Sequence, residues 1–121
     1  MNKTIDLNIW NREFTLEIKF DCYSGEEVTE EQENAIENFT SQQEWLNNAK
    51  TIVEDFCKGK VTEDKKDNIF CYIKPDYLFV TRDKAPKVAI MCNYKYDPEH
   101  GLAIVFTDDG NITVGNQDII L

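Results

Sequence analysis

A chain of 121 residues, 41% apolar and 12% aromatic, is long enough for one buried core and too short for two, and this composition excludes a disordered chain. No apolar run approaches the roughly 18–20 residues that span a bilayer, and the opening residues 1–6 lack the apolar stretch of a signal peptide. The net charge of -10 is concentrated between Asp21 and Asp55, where ten carboxylates stand against Lys50 alone; such a field repels phosphate backbones and anionic membranes and favours a basic protein or a cation.

Ile5, Leu7 and Ile9 alternate with polar neighbours, and Phe14, Leu16, Ile18, Phe20 and Cys22 do the same after a polar break at Asn11-Arg12. Period two on both sides of a short break predicts a β-hairpin. Thr29-Glu30-Glu31-Gln32 reads as a capping box, with acids suited to the positive end of a helix dipole. Ala35, Ile36, Phe39, Leu46, Ala49, Ile52, Val53 and Phe56 then recur every three or four residues. They predict either one helix from about residue 30 to 58 or two helices meeting near Thr40, with a second capping box at Ser41-Gln42-Gln43-Glu44 and a C-cap at Gly59.

Residues 60–68 read as a charged connection, and residues 68–73 fit either a helical turn or a strand, stopped by Pro75. Tyr77 to Val80, Val88 to Cys92, Leu102 to Phe106 and Ile112 to Val114 read as short strands, with turns at Asp83-Lys84-Ala85-Pro86 and Asp108-Asp109-Gly110-Asn111. The expected fold is one α+β domain over residues 1–121. Its mostly antiparallel sheet combines the N-terminal hairpin with a C-terminal meander, and one long or two consecutive helices pack on one face.

Chemistry has few places to reside. Asp97, Glu99 and His100 form the compact set of titratable side chains, around the chain's one histidine. Such a set can serve acid–base work or hold a small molecule or a metal ion. The same residues also make a turn, with Asp97 capping, Pro98 fixing the backbone and Gly101 supplying a positive φ. Gly115-Asn116-Gln117-Asp118 is a polar bend able to bond to that turn. Cys22, Cys57, Cys71 and Cys92 are widely spaced among apolar neighbours, which suits buried thiols in a reducing cytosol rather than a zinc site. Tyr72, Tyr77, Tyr94 and Tyr96 supply an aromatic patch or simply good strand formers. No phosphate loop, nucleophile elbow or dinucleotide fingerprint is present, and Asp108-Asp109-Gly110-Asn111 lacks the ligand spacing of a calcium loop. No catalytic residue, cofactor or metal is therefore assigned.

The segment Tyr96-Asp97-Pro98-Glu99-His100-Gly101-Leu102-Ala103-Ile104-Val105-Phe106, followed by Val114-Gly115-Asn116-Gln117-Asp118, resembles the shared ending of a group of bacterial domains of unknown function. The resemblance covers roughly the last 30 residues and implies a small, single-domain, cytoplasmic bacterial protein, with no catalytic role to carry over. Immunity proteins that neutralise toxins share this size and acidity. The expectation is accordingly a non-catalytic module using Glu26, Glu27, Glu30, Glu31, Glu33 and Glu37 to bind a basic protein. The alternative is a ligand-binding or metal-binding protein using Asp97, Glu99 and His100. Oligomeric state is left open.

Overall fold

The computed structural model describes residues 3–10, 12–21, 27–57, 70, 72–82, 85–107 and 109–120. Glu26, Cys22, Cys71, Asp108, Gly59 and the 60–68 connection lie outside these residues, as do residues 68–69, 71, 83 and 84.

Strands β1 (Lys3–Ile9) and β2 (Arg12–Phe20) form the expected hairpin, with Ile9 opposite Arg12. Trp10, between them, sits at φ 49, a left-handed backbone that a bulky residue rarely adopts. Its indole N–H donates to the Leu46 carbonyl at 2.6 Å, a tertiary bond that holds the turn in place. Helices α1 (Glu30–Ser41) and α2 (Gln43–Cys57) follow, then β3 (Ile73–Val80), β4 (Val88–Tyr94), β5 (Leu102–Phe106), β6 (Ile112–Gly115) and a short 3-10 turn, Gln117–Ile119.

The six strands lie side by side in chain order. Four of the five pairings are antiparallel, and the exception is β2–β3, where Glu17 to Phe20 run parallel to Tyr77 to Val80. The sheet is thus mixed and mostly antiparallel, and the fold is α+β. Parallel neighbours need a long crossover, and the helical segment is that crossover.

The helices do not sit as one consecutive layer, as the periodicity suggests. α1 packs over β3 and β4, whereas α2 lies over β5 and β6. The chain turns between them at Gln42 (φ -107, ψ 67), whose N–H donates to Phe39 O. The second capping box is not formed: Ser41 is the last residue of α1 and its hydroxyl donates back to Asn38 O at 2.8 Å.

Pro75 does not end a segment either. It lies inside β3, opposite Cys92, and the next pairing is Tyr77 with Met91, so Asp76 is an extra residue in a bulge. A bulge tolerates a residue that cannot donate to the ladder.

Along the sheet, Ile5, Leu16, Ile18, Leu78, Val80, Ile90, Ile104 and Phe106 share a core with Phe39, Leu46, Ala49, Val53 and Cys57 of the helices. Phe39 and Trp45 both pack on Phe106, with ring centroids 5.1 and 6.3 Å away. On the other face, Ala89, Met91, Ala103 and Val105 are also buried, in a second cluster with Tyr77, Phe79 and Ile120. The first turn of α2 meets Trp10 after β1 and Gly110 before β6, so the sheet curls around the helices.

The N-terminus of α1 is pinned to the parallel pair. Thr29 Oγ1 accepts from Gln32 N at 3.1 Å while Gln32 Oε1 accepts from Thr29 N at 3.0 Å, completing the expected capping box. Gln32 is fully buried, and its Nε2 donates to Asp21 O at 3.0 Å, Thr81 O at 3.3 Å and Val80 O at 3.4 Å. One amide therefore satisfies both a helix N-terminus and the ends of two strands. Gln32→Ala removes this donor from the strand-end carbonyls, Val80 O keeping its bond from Asp21 N at 2.8 Å, and is expected to cost about 1–3 kcal/mol, read from urea unfolding. Thr29→Ala, which removes only the cap, is expected to cost about 1 kcal/mol.

Candidate functional site

The acidic residues of α1 divide by helical geometry. At 100° per residue, Glu30, Glu33 and Glu37 fall on one stripe, opposite the buried Gln32 and Phe39, and all three are exposed. Glu31 is exposed on the flank. Glu30, Glu31 and Glu33 occupy the first turn, where the helix dipole favours them, and neither helix has a basic residue in its last turn. Glu27 is exposed ahead of the cap, and its backbone carbonyl accepts from Arg82 Nη1 at 3.0 Å.

Asp97 and His100 are brought together; Glu99 stands exposed between them. Asp97 Oδ1 accepts from the His100 backbone N–H at 3.2 Å and lies 3.0 Å from ring Nδ1, while Asp97 O accepts from Gly101 N at 2.8 Å. The imidazole is 45% exposed and the Asp97 side chain 29%. Hydrogen bonding to Asp97, and then its charge, raise the His100 pKa above the ordinary 6.5. Among the described residues, no three His, Cys, Asp or Glu side chains are grouped to hold a metal ion.

The turn is locked to the C-terminal bend. Gln117 N donates to His100 O at 3.1 Å and Gln117 Nε2 to Cys92 O at 3.2 Å, so the polar bend does bond to its neighbour. Gly101 has φ 65, and a Cβ there would stand 2.7 Å from Cys92 O and 2.6 Å from Gln117 Nε2. Both the backbone conformation and the close approach demand glycine. The Asp97–Gly101 motif is thus a piece of turn architecture whose imidazole faces solvent.

Burial pushes the Cys92 thiol far up, which makes it a poor nucleophile, and Cys57 is buried against the sheet. Of Tyr72, Tyr77, Tyr94 and Tyr96, Tyr96 packs against Tyr72 and Tyr94, with centroids 6.2 and 5.7 Å away, and Tyr72 and Tyr94 are core residues. Tyr77 lies on the other face, under the Lys19 ammonium.

One feature escapes sequence reading. A cavity of about 430 Å³ opens where β2, β3 and β5 end, lined by Asp21, Thr81, Arg82, Lys87, Thr107 and Thr113 with Val105, Ile119 and Ile120. The sequence signal was the local excess of base in Arg82, Lys84 and Lys87 within an acidic chain.

The architecture is that of a small α+β protein with a mixed sheet in chain order and a two-helix crossover. The chain belongs to the family described as Domain of unknown function (DUF6985), whose model matches residues 1–121. No curated protein and no solved structure matches it. No helix among the described residues is long and apolar enough to cross a membrane.

For the turn, Asp97→Asn is expected to bring the His100 pKa back towards 6.5, seen in an NMR titration of the ring protons. Because the folded-state pKa is the raised one, the pair's contribution to stability is full below the unfolded value and fades as pH rises through the folded one. Gly101→Ala is expected to cost about 1–2 kcal/mol for the left-handed backbone alone, with the clash added, whereas Glu99→Ala leaves the unfolding midpoint within experimental scatter.

Proposed function

We propose that this domain is a non-catalytic protein-interaction module whose acidic α1 face docks a basic partner. An immunity protein neutralising a basic toxin domain in a bacterial cytoplasm is the form the reading takes. The observation that carries it is the stripe of Glu30, Glu33 and Glu37 turned directly away from the core, with Glu31 and Glu27 beside it. Carboxylates gathered on one rigid surface steer an oppositely charged partner and fix its register. The rival use of Asp97, Glu99 and His100 has less support from geometry, because the shared Asp97 oxygen already organises the turn.

The test is affinity capture from the native bacterium with wild-type and Glu30→Lys/Glu33→Lys/Glu37→Lys baits, followed by rebinding of the purified partner. Three exposed ion pairs, each worth up to about 1 kcal/mol, make a loss of roughly tenfold or more the expected result. The remaining affinity is expected to fall with added salt. A partner that is acidic, or one that binds the variant equally well, contradicts the reading.

A further inference from the structure

The geometry points to a second site: the cavity at the ends of β2, β3 and β5 binds a small organic monoanion with an apolar body, such as an alkyl carboxylate. This goes beyond the docking reading, and the acidic stripe of α1 takes no part in it.

The cavity is built from both kinds of surface. Val105, Ile119 and Ile120 give an apolar wall, and Ile119 is 48% exposed, the most exposed of the large apolar side chains described. An apolar side chain left facing an indentation is unfavourable in water and gains when an apolar ligand covers it. Arg82 and Lys87 supply positive charge, and Thr81 and Thr113 supply hydroxyls, whereas the Thr107 hydroxyl is held by Asp109 and Asn111. The volume of about 430 Å³ lies within the range of ligand pockets, about 300–1,000 Å³.

The charge in the lining sets the class of ligand. Among the described lining residues Asp21 stands beside Arg82 and Lys87, one carboxylate against two cations, and so small an excess of positive charge suits a monoanion better than a phosphate dianion. The guanidinium is oriented by its bond to Glu27 O at 3.0 Å, and a planar fork held in place suits a carboxylate. Thr81 is held too, its hydroxyl accepting from Lys87 N at 2.8 Å. By contrast, the described lining of the hollow of about 560 Å³ over the β1–β2 hairpin holds Asp6 and Glu13 and no cation, which disfavours an anion. The cavity also lies beyond the carboxyl ends of the parallel pair, the place where sheets with parallel strands leave room for ligands.

Octanoate titrated into the isotope-labelled full chain is the test, followed by amide NMR, with octanamide and inorganic phosphate as comparison probes. The expected result is saturable shifts at Thr81, Val105, Thr107, Thr113 and Ile120. Octanamide and phosphate are each expected to bind roughly tenfold more weakly or worse, since one lacks the charge and the other the apolar body. Arg82→Gln/Lys87→Gln and Ile119→Asp should each weaken octanoate by a similar factor. Lys87→Gln alone, at an exposed side chain, serves if the double variant fails to fold. The proposal is overturned if octanoate gives no saturable shift at these amides, if either comparison probe matches it, or if a folded Lys87→Gln protein binds it unchanged.

Discussion

The carboxamide of Gln32 is the interaction on which the remaining architecture depends. Parallel strands cannot be joined by a tight turn, so the chain must leave β2, travel over the sheet and return as β3. Such a crossover leaves helix amides without partners at its start and, at the strand ends, carbonyls that the ladder no longer serves. Gln32 answers both needs with one fully buried group, accepting from Thr29 N and donating to Asp21, Val80 and Thr81 carbonyls. A hydrophobic residue would fill the space and take the Nε2 donor away from the strand-end carbonyls. A glutamate would reach Thr29 N but, when ionised, has no proton to donate to the strands. Only an amide of this length meets both geometries.

The opposite end of the sheet is fixed by a different device. The register places Cys92 opposite both Pro75 and Leu102, far along the strands from Val80 and Val88. There the chain reverses through Asp97–Gly101, and the Gln117 side chain closes the reversal by bonding to Cys92 O. Gly115 is packed as tightly: a Cβ at that position would come within 2.9 Å of Ile119. The two glycines thus allow the 3-10 turn to fold back on the sheet, which brings Ile120 over Ala89, Met91, Ala103 and Val105. The most distinctive wording in the sequence turns out to describe a lock between two segments.

How much of this the residues disclose depends on the range of the physics involved. The hairpin, the first capping box and the turn around Gly110 were legible, because period two, a Thr-x-x-Gln spacing and an Asp-Gly-Asn cluster act over a few residues. Thr107 N donating to Asn111 O at 3.0 Å is the turn that cluster announces. The parallel pairing of β2 with β3 was not legible, since it depends on where a crossover lands rather than on any local pattern. Pro75 misleads for a related reason: the missing N–H breaks a regular ladder, and whether a bulge absorbs it is settled by β4. At the sites, the local excess of acid named Glu30, Glu33 and Glu37 among the partner-binding residues, and the helix then sets those three on one face. The cavity stayed hidden, because its lining joins residues from Asp21 to Ile120 that only the finished sheet brings together.

The topology also explains why charge is so unevenly distributed. Pinning α1 to the strand ends puts Glu30, Glu31 and Glu33 beside the carboxyl ends of β2 and β3. Those acids favour the dipole of their own helix, yet together they would repel any anion approaching that end. Arg82 and Lys87 stand at the same end, and the Glu27 carbonyl holds Arg82 between the acidic stripe and the cavity. A cation at that boundary divides the end of the molecule into an outward surface that is negative and an indentation that is not. At the far end, His100 bonds to Asp97, and Glu99 and Asp118 act on it through their charge. The asymmetry follows from the parallel pair: a purely antiparallel sheet needs no crossover, and without one the acidic helix would have no reason to begin where the strands end.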